Sequence, residues 1–222
     1  MIDVIDLKIS NYRDAYRIQK ELAARRAAGE ISDTLIVTEH LPVITLGRTG
    51  SLENLLIDKT VLHDDGIEFI ETDRGGDITF HGPGQLVLYP IIDLRKRERD
   101  IRRYLRMLED VIMSFLSLYG IAGRRVNGKS GVWIDDDTKV GSVGIGVSHW
   151  VTYHGLSVNI NTPLHYYSMI RPCGLGCAVA TVSSLLGRDI NMAEAKKSLI
   201  DCFREVYEGR SSVLDKEEVY RF

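Results

Sequence analysis

Residues 131–147 read Gly-Val-Trp-Ile-Asp-Asp-Asp-Thr-Lys-Val-Gly-Ser-Val-Gly-Ile-Gly-Val. Two β-like runs, 131–134 and 140–147, flank the polar turn Asp135-Asp136-Asp137-Thr138, as in a hairpin, and Lys139 stands at the start of the second strand. Moving outward, further β-like runs fall at 35–38, 67–71, 86–92 and 155–160. Three amphipathic helices separate them. The first spans about 12–28, with Ala15, Ile18 and Leu22 on one face and Gly29 placed to stop it. The second follows Leu94 and repeats Ile101, Leu105, Leu108, Ile112, Phe115 and Tyr119 at three- and four-residue steps before Gly120. The third begins at Asn191, which has capping-box spacing to Glu194, and carries the stripe Ala195, Leu199, Phe203 and Val206. Hairpins mixed with separated helices predict an α+β fold with a largely antiparallel or mixed sheet packed by helices. No repeat, low-complexity tract or linker divides the chain, so one domain over 1–222 is expected.

Composition narrows the function classes. The 222 residues are 44% hydrophobic and 27% charged, with a formal net charge of −3, which gives no reason to expect nucleic acid or an anionic membrane as partner. No apolar run approaches membrane-spanning length, and Met1-Ile2-Asp3-Val4-Ile5-Asp6 carries acids where a signal peptide carries bases. Three cysteines do not make a disulfide framework. The expectation is a cytoplasmic protein in a reducing compartment, where a special cysteine is chemical.

Four segments can carry chemistry. Residues 73–85, Asp-Arg-Gly-Gly-Asp-Ile-Thr-Phe-His-Gly-Pro-Gly-Gln, concentrate four glycines, a proline, an arginine and a histidine. Glycines let backbone N–H groups approach a ligand, Arg74 adds a fixed positive fork and His81 a titratable donor or acceptor. Composition alone favours a plainer reading, two tight turns around a short strand. Pro172-Cys173-Gly174 offers a thiol that an adjacent cation would activate, against the common fate of a free cysteine as a small buried hydrophobe. Cys177 makes a C-x₃-C pair with Cys173 but lacks two further zinc ligands, and Cys202 reads as core. Lys139, alone an ordinary solvated lysine, precedes a glycine-studded strand that keeps a sheet surface low. His154-Gly155-Leu156-Ser157 adds small residues to line the same cleft or simply to continue a strand. The basic run from Arg95 to Arg103 reads as a solvated helix start or a surface for an acidic partner protein.

Residues 74–89, from Arg74-Gly75-Gly76-Asp77-Ile78-Thr79-Phe80-His81 through Gly82-Pro83-Gly84-Gln85 to Tyr89, closely resemble the signature of the lipoyl(octanoyl) transferase family, also called lipoate-protein ligase B. Residues 128–134, Lys139 with Ser142-Val143-Gly144, His154-Gly155-Leu156 and Pro172-Cys173-Gly174 follow in that family's order. The resemblance implies the α+β catalytic domain shared with biotin and lipoate ligases. It implies acyl transfer from octanoyl-acyl carrier protein to the lysine of lipoyl domains, those of 2-oxoacid dehydrogenase E2 subunits and glycine cleavage H protein. Cys173 then corresponds to the catalytic nucleophile and Lys139 to its partner. Substrate binding falls to Arg74, Gly75, Gly76, Asp77, Ile78, Thr79, Phe80 and His81, to Ser142, Val143 and Gly144, and to Gly155, Leu156 and Ser157. No cofactor, metal, nucleic acid or membrane is implied, and a monomer is expected. Two departures stand out: Gly141 replaces a usual alanine, which should widen the cleft slightly, and 177–181 is atypical. The rivals are an ATP-dependent lipoate or biotin ligase on the same fold and a catalytically silent binding module.

Overall fold

Strand pairing begins where the quoted hairpin places it, at β8 (Lys129–Trp133) and β9 (Thr138–Ser148). The computed structural model describes residues 2–97, 99–172 and 176–209. In it, β9 sits inside a mixed sheet ordered β1 (Asp3–Ser10), β2 (Thr34–His40), β6 (Gln85–Ile91), β10 (Val151–Asn159), β9, β8 and β7 (Arg124–Val126). Neighbours along this path run antiparallel except β1 with β2. A two-residue strand, β11 (Ala178–Val179), joins β9 in parallel at Thr138 and Lys139, beyond the last β10 partner at Gly141. A second, three-stranded sheet is ordered β4 (Glu68–Glu71), β3 (Val43–Leu46) and β5 (Ile78–His81).

Helices cover both faces of the larger sheet. On one face α3 (Ile101–Ser117) and α5 (Met192–Tyr207) bury Leu108, Ile112, Phe115, Leu199 and Phe203 against Val132, Val140, Val143, Leu156 and Val158. Burying each such side chain contributes about 1.5–3 kcal/mol before chain entropy is counted. Both helices start where the sequence places a cap: Asp100 accepts from Arg102 and Arg103 N–H, and Asn191 accepts from Ala193 and Glu194 N–H. Cys202 is buried in the same cluster, as expected.

On the other face α1 (Tyr12–Ala27) packs against Ile36, Val87, Tyr89 and Tyr153. Gly29 follows its end at φ +80°, the left-handed stop expected of it. Its buried stripe differs from the expected one. Tyr12, Ala15, Gln19, Ala23 and Arg26 face inward, while Ile18 and Leu22 flank them half-buried. Arg26 tolerates burial here because it is partnered, and Gln19 is partnered through its oxygen while its Nε2 is left without an acceptor. Gln19 Oε1 accepts the His154 N–H at 2.7 Å, and Arg26 pairs with Asp33 at 2.6 Å and Asp93 at 3.5 Å. The basic run contributes to this network as well, since Arg95 binds Asp93 through two nitrogens.

One irregularity decides where Lys139 points. Val132 pairs with Gly141 but Trp133 pairs with Lys139, so β9 carries an extra residue between them. Val140, Val143 and Ile145 pack in the α3-side cluster, and a Cβ on Gly141 would sit 3.0 Å from Ile112 of α3. Uninterrupted alternation would send Lys139 to that same side. The bulge turns it to the opposite face, with Ser142 and Gly144. It also corrects the expectation for Gly141: a methyl there would press on α3 and leave the cleft width unchanged.

Candidate active site

A cleft opens between the α1-side face of the larger sheet and β5 with the preceding glycine-rich loop. Three segments distant in sequence meet there. Arg74, Gly76, Asp77, Ile78, Thr79 and His81 form one wall, and Ser142, Val143 and Gly144 with Gly155, Leu156 and Ser157 form the sheet wall. Lys139, Ser130, Val179 and Pro172 stand at one end.

Close backbone approach explains Gly144. A Cβ on Gly144 would lie 2.7 Å from the Gly75 carbonyl oxygen, and Gly75 N–H donates to the Ile145 carbonyl at 2.8 Å. The loop is thus clipped directly onto β9. Gly75 acts through this clip and does not line the cleft. Phe80 does not line it either: its side chain is buried on the far side of β5, stacked on Tyr166 at 4.3 Å. Strand alternation gives the reason, because Thr79 and His81 take the cleft side. The Arg74 guanidinium is directed to β3, donating from Nε to Thr45 Oγ1 at 3.1 Å and from Nη2 to the Thr45 carbonyl at 2.7 Å. Asp77 accepts from Asn54 Nδ2 at 2.7 Å, and the Asn54 carbonyl accepts from Arg171 N–H at 2.7 Å. The wall therefore holds the chain that leads to Pro172.

Lys139 is 5% exposed, with Nζ 5.1 Å from the centroid of the Trp133 ring. Beyond the expected positions, Val179 places β11 beside it, and the Lys139 carbonyl accepts from Ala180 N–H at 2.8 Å. The atypical 177–181 segment is therefore part of the site. Cys173 and Gly174 lie outside the described residues. Cys177 is half-buried, its thiol 3.6 Å from the Pro172 carbonyl.

A lipoyl protein ligase A/B catalytic domain matches residues 11–204. An octanoyltransferase of Geobacter metallireducens is 42% identical, aligned over 96% of this chain and 97% of that protein, and one of Geobacter sulfurreducens is 46% identical over 88% and 80%. The chain belongs to the octanoyltransferase family. The fold of this family member extends to ligases. A lipoate protein ligase of Thermoplasma acidophilum superposes with a TM-score of 0.71 at 17% identity, covering 93% of this chain and 84% of that one. A biotin protein ligase of Aquifex aeolicus gives 0.55 at 13% identity, covering 94% and 71%. The expected α+β ligase-like catalytic domain is the one observed.

At the other end of this octanoyltransferase-family cleft is a cluster of rings that the sequence did not single out. Tyr12 stacks on His81 at 6.1 Å, His40 meets His81 at 5.8 Å, and Tyr89 meets His154 at 6.3 Å. His154 has φ +55°, an uncommon conformation held by Gln19 and by Asp73, whose Oδ1 lies 2.9 Å from Nε2. The bond from His154 and that from the Tyr153 hydroxyl keep the Asp73 carboxyl well below the usual carboxylate range, while burial pushes His154 down. Burial likewise lowers His40 to about 4 and His81 to about 3. The sequence signals for this cluster are the dipeptide His154-Gly155 and the 73–89 stretch that holds Asp73, His81 and Tyr89; Tyr12 and His40 have none.

Neutral buried histidines carry a pH consequence. The unfolded chain takes up protons as pH falls below the ordinary 6.5, whereas the folded one does so only near 4 and 3. Stability is therefore full above about 6.5 and lost as pH drops, by about 2 kcal/mol for each of His40 and His81 at pH 5. Urea melts at pH 7.5 and 5 should show this loss, and His81→Gln should reduce it by about half. Equal pH dependence in wild type and variant would exclude His81 as a source.

Proposed function

We propose that this cleft performs octanoyl transfer in protein lipoylation through an acyl-enzyme, with Cys173 as the acyl carrier and Lys139 as its proton-handling partner. The observation that carries the reading is the anchoring of the chain on both sides of Cys173 at the Lys139 end of the cleft. Arg171 N–H is held by Asn54, Pro172 lines the cleft, and Ala178 and Ala180 N–H donate to the Asp137 and Lys139 carbonyls at 2.9 and 2.8 Å. These flanks support a reading in which the Cys173 thiol passes its proton to the Lys139 amine and the two form a thiolate–ammonium pair.

The donor is octanoyl-acyl carrier protein and the acceptors are lipoyl domains. In the first half-reaction the Cys173 proton passes to Lys139, and the thiolate sulfur attacks the thioester carbonyl carbon. The carbon–sulfur bond to phosphopantetheine breaks, and its thiolate takes the proton back from Lys139. In the second, the acceptor lysine amine attacks the S-octanoyl carbonyl and loses its proton to Lys139, which returns it to the departing Cys173. One thioester bond becomes one amide bond, so no ATP is consumed. Val87, Gly144 and Gly155 line the route an eight-carbon chain would take between the walls. No described helix is long and apolar enough to cross a membrane; carrier-protein and lipoyl-domain substrates support a cytoplasmic reaction.

An ATP-dependent ligase is the alternative on this fold. Octanoyl-carrier protein and an apo lipoyl domain, mixed with the protein without nucleotide, should yield octanoylated domain. Product only from free lipoate and ATP would overturn the assignment.

A further inference from the structure

The bulge that turns Lys139 into the cleft is itself braced from α3. Gly131 lies on β8 at φ +90°, and a Cβ there would meet Lys139 Cε at 2.8 Å, the Gly141 carbonyl oxygen at 2.4 Å and Ser142 Cα at 3.3 Å. Gly131 is thus the floor on which the lysine side chain rests, and only a residue without Cβ fits both the space and the backbone angle. Its buried N–H donates to Glu109 Oε1 at 3.1 Å. Glu109 comes from the α3 interior and is 5% exposed. Its other oxygen, Oε2, accepts from Arg125 Nε at 2.8 Å and Arg106 Nη1 at 3.2 Å, while Arg125 also reaches Asp110 at 2.8 Å. A buried carboxylate is retained only where it is partnered. Of the three groups that donate to it, Arg125 also pairs with Asp110 and Arg106 reaches the surface; the Gly131 amide depends on Glu109.

We propose that Glu109 is a positioning residue for transfer: through the Gly131 N–H it fixes the β8 side of the bulge and thereby the line along which Lys139 enters the cleft. This rests on the assignment of Lys139 as the proton-handling lysine. Glu109 touches no substrate, so its loss should change the rate of the chemical step and leave binding alone. Glu109→Met, of similar length but unable to accept from Gly131, should lower kcat about tenfold or more with KM within about twofold. Glu109→Gln, which can keep its oxygen on Gly131 only by turning its amide NH2 toward Arg125, should fall between wild type and the methionine variant. Glu109→Asp, which keeps the charge near Arg125 but falls short of Gly131, should behave like the methionine variant.

A double-mutant cycle with octanoyl-carrier protein and an apo lipoyl domain separates positioning from general destabilisation, with melting curves for every variant. In a Lys139→Ala background Glu109→Met should cause no further loss, because its effect runs through the missing side chain. Folded Met or Asp variants with wild-type kcat would overturn the proposal, as would losses that multiply in the double variant. If the Met variant does not fold, Asp against Gln decides the same question. An unimpaired Lys139→Ala enzyme would instead refute the assignment beneath the proposal, and it is read independently of any Glu109 variant.

Discussion

Lys139→Ala is expected to slow octanoyl transfer by about 10²–10⁴-fold, the usual contribution of a positioned acid–base group, with little change in melting temperature. Lys139 lies buried against Trp133 at the end of the cleft, so truncation removes a charge without breaking a strand pair. Lys139→Arg is the informative companion. Arginine keeps a positive charge for a thiolate but does not release its proton in proteins. It should therefore stay within about tenfold of the alanine variant if the lysine moves protons. Full rescue by arginine would reduce the role of Lys139 to electrostatics, and unchanged kinetics in the alanine variant would remove it from the mechanism.

Cys173→Ala should have a larger effect still. Removing a covalent nucleophile leaves only approximation of donor and acceptor, and a loss of about 10⁴-fold or more in kcat is expected. Cys177 provides the internal control. Its thiol is directed to the Pro172 carbonyl, five residues back along the same chain, and Cys177→Ala should retain activity within about threefold. Steady-state rates of the two alanine variants, measured side by side, separate the thiols. Comparable losses in both would mean that the segment tolerates no change there and that the nucleophile assignment needs the chemical test below.

Much of the fold could be read from the chain, and the misses have physical causes. The β-like runs at 35–38, 86–92 and 140–147 became β2, β6 and β9 because alternation and β-branched residues are strong local signals. Strand β1 lacked such a signal: it is an edge strand with Asp3, Asp6 and Lys8 among its apolar residues. The second sheet depends on pairing β3 with β5, some thirty residues further on, which no local window contains. Strand β5 is the short strand that composition places between two turns, but nothing local tells which sheet it joins.

The candidate site divides in the same way. Its glycine-rich loop, Ser142–Gly144 and Gly155–Ser157 stood out as small residues, and the structure gathers them around one cleft. Which way Lys139 points was not legible, because periodicity sends it toward α3 and only the extra residue at Val140 reverses it. Nor did α3 advertise Glu109, a carboxylate inside an apolar stripe whose partner Gly131 is 22 residues away in sequence. Phe80 illustrates the opposite error. A motif assigned as a block was extended to a side chain that the strand turns into the core.

The acyl-enzyme itself is the most direct measurement. The protein is incubated with octanoyl-carrier protein in the absence of acceptor, and its intact mass and peptide map are recorded. One octanoyl group on Cys173 is expected, discharged by hydroxylamine and by an apo lipoyl domain. An adduct on Cys177, or no adduct on an enzyme that turns over when acceptor is added, would contradict the account.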